Sequence, residues 1–529
     1  MMTMQQLDVP VRQWVPDWLG MICIFTIILP VTMLNGSYTG SMLEVSNTLG
    51  THTEDITMGY YAASAGMAVA YPIVPKVLDA LSSKFLLLTD LTLQFFLSWI
   101  CARSQNIDLV IICSFFIGFL KGFLMLWFIR RATKIFSPKN VRSEFYSYFY
   151  PLVFAGGQVS MVLTAELAYH YNWQYMYYFM MLLLMTAILI VIICFRHDRP
   201  LKPIPLSELH LREMLVIATG LLMLVYVINY GKVLDWTSSF KIRLYIVIAP
   251  ILIAFFIWQQ YHSKHPFVSL APLYQPKAIV GYLYMMLVMF FSTSTTLLTN
   301  YMTSILKVDS THTYLLYGYL LPGYALGAFI CFWWFRWQRW RFRFLIAGGM
   351  GCFAAFFGIL YFTVSPDSTY EMLFLPVFLR GLGMLVLIIA FALFAVEELN
   401  PKYLLANAFF LISFRSVLAP ILATSFYSNA LYRMEQKYLH SLSETVSQTD
   451  GRQPVQPVTQ PISFTRTRIY RSHPNGNSNS LCHFATTKPP AFAQTYTRLS
   501  VCHYPGHCHR FALHPLPQDH SCEICQNRG

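Results

Sequence analysis

Long apolar stretches recur along most of the chain and are separated by short polar connections. A helix needs about 20 residues to cross the hydrocarbon core of a bilayer, and runs of that length recur from Trp18 to Leu431. The pattern predicts thirteen spans, at residues 17–36, 57–75, 84–102, 107–129, 145–168, 174–194, 212–231, 242–261, 277–301, 313–335, 342–364, 371–396 and 404–431. We therefore expect an all-α polytopic membrane protein.

The composition excludes an ordinary soluble protein. Of the 529 residues, 56% are hydrophobic and 12% are charged, whereas a water-facing surface needs about a quarter of charged residues. Lys and Arg outnumber Asp and Glu by 37 to 24, and in a membrane protein such an excess records topology more often than nucleic-acid binding. The expected environment is a lipid bilayer, with no nucleic acid as a partner.

Loop cations give an independent test of the spans, because Lys and Arg accumulate in cytoplasmic loops. With the N-terminus inside, 19 of them fall in inner segments and 5 in outer loops. This asymmetry supports the alternation of all thirteen spans and a cytoplasmic N-terminus. The residues before the first span contain one cation, Arg12, and no small-residue cleavage site follows that span. We expect a retained first helix rather than a cleaved signal peptide.

Residues 451–529 differ in kind from the rest of the chain. They contain nine prolines, seven of the fifteen histidines and five cysteines, without an apolar run of spanning length. Cys522 and Cys525 have the spacing of zinc ligands, but no second pair lies at the distance typical of a zinc finger. We interpret the segment as a disordered or out-of-frame tail, and we expect no metal site and no cofactor.

Charged residues inside the predicted spans cost about 2.5–3.5 kcal/mol each on insertion scales. Those present are Asp90, Lys121, Glu166, Arg380 and Arg415. The segments Phe119–Phe123 and Phe378–Leu382 both read Phe, Leu, cation, Gly and an apolar residue. The match indicates an internal repeat in which each cation lies on the fourth helix of one half. The seventh and eighth spans would then be an inserted pair.

Other polar side chains are candidates for lining a cavity. Asp90, Gln94 and Ser98 recur every four residues and form one stripe on an apolar helix. Thr296 and Asn300 belong to a polar run in the ninth span, whose hydroxyls either line a cavity or bond back to the helix. Pairs of glycines suit close helix crossings, at Gly118 and Gly122, Gly156 and Gly157, Gly323 and Gly327, and Gly381 and Gly383.

Several motifs resemble the major facilitator superfamily and, within it, the fourteen-helix drug:proton antiporter branch, over about residues 15–450. The loop from Pro75 to Lys84 resembles the superfamily's cytoplasmic signature, with Asp79 and Lys84 retained and both glycines replaced. Further stretches are similar to motifs of the branch, at Asn172–Tyr177, Leu379–Gly383 and Phe414–Ser416. In the first-helix motif Thr32 and Asn35 match, but Pro30 stands where the branch usually has an Asp.

The resemblance implies a major facilitator fold of two six-helix bundles with an inserted helix pair. The expected divisions are an N-terminal bundle at 1–194, the pair at 195–270, a C-terminal bundle at 271–450 and the tail at 451–529. The C-terminal bundle would hold five of its six helices, because no fourteenth span precedes the tail.

The resemblance also implies proton-coupled export of drug-like or amphipathic small molecules by alternating access. The expected location is the cell membrane, as a bacterial inner membrane protein, with a periplasmic adaptor among its partners. Because Pro30 replaces the usual acid, coupling would fall to Asp90 or Glu166. Lys121, Arg380 and Arg415 are the remaining candidates for transport, and Asn35, Gln94, Thr296 and Asn300 for cavity lining.

Two other classes of function remain open at this stage. A polytopic enzyme needs a nucleophile, a base or metal ligands at membrane depth, yet the histidines of the first 450 residues fall in loops or span ends and form no H-E-x-x-H pair. A channel is usually built by subunit symmetry rather than by repeated halves of one chain. Within transport, an organic anion or another metabolite is the alternative substrate. Without a G-x-x-x-x-G-K-S/T loop in the membrane part, ATP is not the expected energy source.

Overall fold

The computed structural model describes residues 10–137, 141–197, 210–337, 341–365, 368–449, 498–503 and 507–512. Within these ranges the α-helices are α1 (Asp17–Leu49), α2 (Thr53–Ala70), α3 (Val74–Ala80), α4 (Ser83–Arg103), α5 (Ile107–Phe136), α6 (Arg142–His170), α7 (Tyr175–Cys194), α8 (Leu211–Tyr230), α9 (Phe240–His262), α10 (Pro276–Ser292), α11 (Thr295–Asn300), α12 (Ser310–Leu316), α13 (Leu320–Trp337), α14 (Phe342–Thr363), α15 (Phe374–Val396), α16 (Leu404–Ile412) and α17 (Ala419–Thr449).

Shorter turns complete several of the spans. Single 3-10 turns lie at Trp236–Ser238, Ala271–Tyr274, Tyr317–Tyr319, Tyr370–Leu373 and Pro401–Tyr403, and π-helical turns at Tyr301–Ile305 and Ser413–Leu418. Two strands, β1 (Arg498–His503) and β2 (His507–Ala512), pair as an antiparallel hairpin that the sequence pattern did not predict.

The predicted all-α polytopic fold is confirmed. Within the described residues, twelve stretches are long and apolar enough to cross a membrane. Each predicted span except the second coincides with one of these stretches, extending at most one residue beyond it. The predicted span 57–75 falls on α2, which ends at Ala70 and is followed by a turn and α3. Its first turn carries Glu54 and Asp55 and much of the rest is Ala, Gly and Ser. These residues keep α2 less apolar than its neighbours.

Close helix crossings hold the N-terminal bundle together. α1 packs along α6, α2 packs along α5, and α4 lies against both α5 and α7. A Cβ atom added to Gly118 would collide with the carbonyl oxygen of Ala63, and one added to Gly36 would collide with the carbonyl oxygen of Gly157. Only glycine lets the helix backbones approach this closely, so van der Waals contact replaces the hydrophobic driving force that lipid removes.

The C-terminal bundle repeats this packing. α13 and α14 both pack along α15, and α10 packs along α15 and contacts α16 and the π-helical turn Ser413–Leu418. The α13–α15 pair thus corresponds to α2–α5, and α14–α15 to α4–α5. A Cβ atom on Gly323 would lie 2.5 Å from the carbonyl oxygen of Phe378. The same kind of small-residue crossing therefore builds both halves.

The two halves differ in how the equivalent helices α4 and α14 are covered. In the N-terminal half α7 packs on α4, whereas no described helix takes the equivalent place on α14. The most apolar part of α4 is 44% buried, against 22% for α14. This difference agrees with the absence of a sixth helix from the C-terminal half of the described chain.

The helices α8 and α9 form a hairpin between the two halves of the sequence. α8 packs on α2, and the Tyr230 hydroxyl donates to Asp55 Oδ1 at 2.6 Å. Val225 of α8 belongs to one buried cluster with Tyr61 of α2 and Ile421 of α17. The inserted pair is therefore fixed to the bundles through α8, while α9 exposes most of its surface.

The last membrane helix is longer than predicted. α17 continues to Thr449, and the chain divides by its contacts into a unit of residues 1–429 and a unit of residues 430–529. The predicted tail at 451–529 lies outside the described residues except for the β1–β2 hairpin. Cys522 and Cys525, the zinc-spaced pair, also lie outside them.

Candidate functional site

Two buried cations lie at matching places in the two bundles. Lys121 is on α5 and Arg380 is on α15, and the two residues are 6% and 5% exposed. Their helices correspond in the repeated packing, since α5 packs along α2 and α15 along α13. Because these helices correspond, the structure brings the two predicted repeat segments to equivalent positions. A charge buried inside a membrane-spanning helix is costly and is rarely kept without a functional reason.

Arg380 is only partly satisfied by its surroundings. Its Nη2 donates to the main-chain oxygen of Ser292 at 2.7 Å and to the Ser292 hydroxyl at 3.2 Å. Its Nε and Nη1 are buried and donate to no atom of the described residues. One nitrogen thus braces α10 against α15, while two nitrogens of the guanidinium group are left without an acceptor.

The helix opposite Arg380 is broken at the point of contact. α10 ends at Ser292, a turn follows at Thr293 and Ser294, and α11 begins at Thr295. The Ser294 hydroxyl is buried and has no partner among the described residues. The nitrogens of Thr293 and Ser294 still donate to the carbonyls of Met289 and Phe291, so the interruption is a tightened turn. Interrupted helices are common at the substrate sites of transporters.

An aromatic group links the two bundles beside these cations. Arg415, in the π-helical turn Ser413–Leu418, lies over the rings of Tyr150 and Phe154, with its guanidinium carbon 5.5 and 6.0 Å from their centroids. The Phe154 ring is in turn 5.9 Å from that of Tyr324 on α13. Since α6 carries Tyr150 and Phe154, the rings join Arg415 to the surroundings of Arg380. The positive charges of Lys121 and Arg415 are also close enough to interact.

Polar and sulfur atoms surround Arg380 on the C-terminal side. The Ser292 hydroxyl donates to Met384 Sδ at 3.1 Å, and the Tyr324 hydroxyl donates to the same sulfur at 3.8 Å. The hydroxyls of Tyr317 and Thr299 are 2.7 Å apart. Sequence reasoning missed Met384 and all the tyrosines here. Aromatic residues are 16% of the chain, so nothing in the sequence distinguished these from lipid-facing ones.

Asp90 lies apart from the cations. It is 4% exposed on α4, and its Oδ2 accepts a hydrogen bond from Gln94 Nε2 at 3.0 Å. Its Oδ1 is buried without a described partner, and Asp90 forms no ion pair with Lys121 or Arg380. Ser98 is also buried. The predicted stripe therefore faces protein, between α4 and the helices α5 and α7 that pack on it.

The other acidic candidate faces the surface. Glu166 lies near the end of α6. Its side chain is 48% exposed, and its Oε1 is 2.9 Å from Nε2 of His170 one turn later. The ninth-span candidates Thr296 and Asn300 are half-buried. The Thr296 hydroxyl donates back to the Thr293 carbonyl at 3.0 Å, which is the second of the two predicted roles for that run. The side chain of Asn35 lies outside the described residues.

The signature-like loop ties α3 and α4 to the ends of other helices. Asp79 accepts from Arg130 Nη1 at 2.8 Å, at the end of α5. Lys84 Nζ donates to the main-chain oxygens of Ile192 and Phe195, at 3.2 and 2.9 Å. These carbonyls lie at the C-terminal end of α7, where a cation is favourable because it satisfies carbonyls that the helix leaves free. The loop therefore acts through helix ends rather than through the buried cations.

Among the described residues, no group of three or more His, Cys, Asp or Glu side chains could hold a metal ion. The surroundings of Arg380 instead consist of a charged donor, hydroxyls, a thioether and aromatic rings. Such an arrangement can bind and orient a small molecule, and among the described residues around Arg380 no nucleophile is paired with a base.

Comparison with known proteins identifies the architecture. A sequence model described as Major Facilitator Superfamily matches residues 21–424. A crystal structure of a mutant of the peptide transporter POT in complex with alafosfalin aligns at 13% identity and a TM-score of 0.55, over 81% of this chain and 94% of that one. A second mutant POT structure aligns at 14% identity and a TM-score of 0.55, over 80% and 91%.

A crystal structure of a mutant of the nucleoside transporter NupG aligns at 12% identity and a TM-score of 0.47, over 76% of this chain and 89% of that one. None of the curated proteins matches the sequence significantly. At such low identities the likeness to the two POT structures establishes the fold and leaves the substrate open.

Proposed function

Because the chain belongs to the major facilitator superfamily, we propose that it is a secondary active transporter that carries drug-like or amphipathic small molecules by alternating access. Its family and its structural neighbours are transporters rather than enzymes. In such a carrier the two bundles rock about a site between them, which opens to one side of the membrane at a time. An ion gradient supplies the free energy for transport.

The observation that carries this proposal is the pair of buried cations on equivalent helices. Lys121 and Arg380 lie on α5 and α15, and Arg380 contacts the broken end of α10 at Ser292. The aromatic contact between Phe154 and Tyr324 connects α6 with α13, so it lies between the bundles. A substrate bound beside these residues would contact both moving parts, which is what couples binding to a change between states.

We assign proton coupling to Asp90 ahead of Glu166. Asp90 is buried, and one of its carboxylate oxygens has no described partner, whereas Glu166 is half-exposed and already paired with His170. A buried carboxyl group that gains and loses a proton changes the charge of its helix, and that change favours one packing of the bundle over another. Proton exchange at Asp90 would thus favour one orientation of the carrier.

The inserted hairpin of α8 and α9 supports placing the chain in the fourteen-helix drug:proton antiporter branch. On this proposal residues 1–194 and 271–450 form the two bundles and residues 195–270 form the inserted pair. The excess of loop cations supports a cytoplasmic N-terminus, and membership of this branch would place the chain in a bacterial inner membrane. In a cell with two membranes, a periplasmic adaptor would complete the export route.

The test is transport by the purified full chain in sealed phosphatidylcholine vesicles with an imposed pH gradient. The probes are ethidium, an amphipathic cation, and naphthaleneacetate, an amphipathic anion, so that the outcome does not depend on charge. We expect saturable movement of at least one probe that changes with the direction of the gradient. Arg243→Gln, which alters an exposed cation of α9, serves as the control variant and should transport normally.

A carrier and a channel give different results in this assay. A carrier also exchanges labelled for unlabelled probe without a gradient, because exchange needs only the reorientation of the loaded site. Movement that rises linearly with probe concentration and shows no exchange would contradict the proposal. Movement that saturates but ignores the pH gradient would retain alternating access and remove the proton as the coupling ion.

A further inference from the structure

The guanidinium group of Arg380 is buried without a counter-ion among the described residues. Asp90 and Glu213 are the buried carboxylates of the described chain, and neither pairs with it. Asp90 bonds to Gln94, and Glu213 accepts from Gln260 in the inserted hairpin. Buried arginines in proteins are normally paired, because an unpaired buried charge is strongly unfavourable. The structure therefore holds a fixed positive charge whose partner is not a carboxylate of the described residues.

The remaining hydrogen-bonding capacity of Arg380 is of the kind that an anion satisfies. The guanidinium group has five N–H donors, and the Ser292 oxygens accept only from Nη2. Nε and Nη1 keep their donors unused within the described chain. Nε and Nη1 lie on different edges of the guanidinium group, and an anionic oxygen can accept a charge-assisted hydrogen bond from either of them. A carboxylate is one of the anionic groups with which arginine pairs most favourably.

A second unsatisfied group lies on the neighbouring broken helix. The Ser294 hydroxyl is buried and has no described partner, two residues beyond the Ser292 carbonyl that Arg380 contacts. A hydroxyl donates to a carboxylate as readily as to a neutral acceptor. The guanidinium group of Arg380 and the hydroxyl of Ser294 therefore both have hydrogen-bond donors without a described acceptor near the break between α10 and α11.

Apolar and polarisable side chains also lie close to Arg380. The sulfur of Met384 accepts hydrogen bonds from Ser292 and Tyr324, and the Tyr324 ring contacts Phe154 of the opposite bundle. Aromatic rings and thioethers favour an apolar body with an aromatic or extended surface. The anionic group and this body would occupy adjacent parts of one site.

We propose that Arg380 binds the carboxylate of an amphipathic organic anion, and that such anions are the substrate class of this transporter. The proposal rests on the proposed transport function and adds the sign of the substrate's charge. Ser294 donates a second hydrogen bond to the carboxylate, and Tyr324 with Phe154 contacts the apolar body. Anion binding gives Arg380 the counter-ion that the protein does not supply.

The experiment compares three probes with one aromatic body and different charges: naphthaleneacetate, naphthaleneacetamide and naphthylethylammonium. Binding to the purified full chain and exchange in vesicles of phosphatidylcholine are both measured. This lipid has no net charge, so no anionic headgroup competes for the site. The variants are Arg380→Gln, Arg380→Lys and Ser294→Ala, with Arg243→Gln as the control.

We expect the unaltered protein to bind the anion more tightly than the amide, and the amide more tightly than the cation. Arg380→Gln should weaken anion binding about tenfold or more, the loss expected for a charge-assisted hydrogen bond, and leave amide binding unchanged. Amide binding therefore also reports whether the variant is folded. Arg380→Lys should restore part of the anion preference, because it keeps the charge without the planar fork.

Two results would overturn the inference while leaving the transport function intact. One is exchange of the cation or the amide by the unaltered protein without preference for the anion. The other is an anion-to-amide ratio that Arg380→Gln does not change, which would make Arg380 a brace between α15 and α10 only. Failure of all three probes and of ethidium to exchange would count against both proposals.

Discussion

Replacing Gly323 by alanine tests whether close backbone contact between α13 and α15 holds the C-terminal bundle together. The added Cβ atom would lie 2.5 Å from the carbonyl oxygen of Phe378 and 2.9 Å from the nitrogen of Leu382. Carbon and oxygen atoms in close helix contacts are usually about 3.3 Å apart. Because the obstructing atoms belong to backbone and cannot rotate away, the helices must separate by about 0.8 Å along this line.

Such separation costs more than alanine gains. Overpacking costs about 1–3 kcal/mol, and the better helix propensity of alanine returns about 1 kcal/mol. We therefore expect Gly323→Ala to lower the free energy of unfolding by up to about 2 kcal/mol. It should also reduce transport, because α15 carries Arg380 two residues beyond Phe378.

Two further glycines provide matched controls. A Cβ atom on Gly327, one turn along the same helix, would lie 3.3 Å from the Leu382 carbonyl oxygen, and one on Gly348 of α14 would meet nothing within 4 Å. Gly327→Ala should therefore be nearly neutral, and Gly348→Ala should stabilise by up to about 1 kcal/mol through helix propensity.

The assay is unfolding of the purified protein by sodium dodecyl sulfate in mixed micelles, followed by tryptophan fluorescence. The ordering Gly348→Ala, Gly327→Ala, Gly323→Ala, from most to least stable, is the expected result. Equal midpoints for Gly323→Ala and Gly348→Ala would show that the crossing is loose enough to accept a methyl group. The argument for backbone-level packing between α13 and α15 would then be wrong.

Three further predictions concern other parts of the molecule. Asp90→Asn should abolish transport driven by a pH gradient but preserve exchange without one; loss of both would make Asp90 structural. Arg142→Met removes the 2.9 Å hydrogen bond from Nη1 to the Val396 carbonyl, and should raise the labelling rate of a cysteine introduced between α6 and α15. Cys23 and Cys194, with sulfur atoms 3.8 Å apart, should form a disulfide under a membrane-permeable oxidant, detected by peptide mass, whereas Cys331 should stay reduced.

Helix positions were the most predictable part of this structure, because lipid imposes both a minimum length and an apolar composition on a spanning helix. The same rule explains why α2 is less apolar than the other predicted spans. Its packing against α5 depends on small residues such as Gly66, and small residues add little hydropathy. A helix that faces protein on most sides is stabilised by close approach, so its apolar signal in the sequence is weak.

The site was predictable only in its charged members. Lys121 and Arg380 stand out in the sequence because charge in an apolar run is rare. Their partners do not, since Ser292 and Tyr324 come from helices far from Arg380 in sequence and resemble many other residues of the chain. The break after Ser292 was also hidden, because a run of Ser and Thr is compatible with a continuous helix that accepts back-bonds, and Thr296 does make one.

In the repeated segments Phe119–Phe123 and Phe378–Leu382, helix packing explains the glycine but not the cation before it. In both copies the residue after the cation is glycine, and in both the glycine has a packing reason. A Cβ atom on Gly122 would lie 2.7 Å from that of Ala70, and one on Gly381 would lie 2.8 Å from the Leu320 carbonyl oxygen. Close helix approach therefore accounts for the glycines.

Close approach does not account for the cation beside each glycine. Leucine or methionine would fill similar space in lipid-embedded protein without the cost of burying charge. Arg380 recovers part of that cost by bonding to Ser292, but it keeps two nitrogens without a described acceptor. A purely structural arginine would be expected to use its whole donor set. Because the packing role of the repeat is complete without the charge, the proposed anion accounts for a feature of Arg380 that helix packing leaves unexplained.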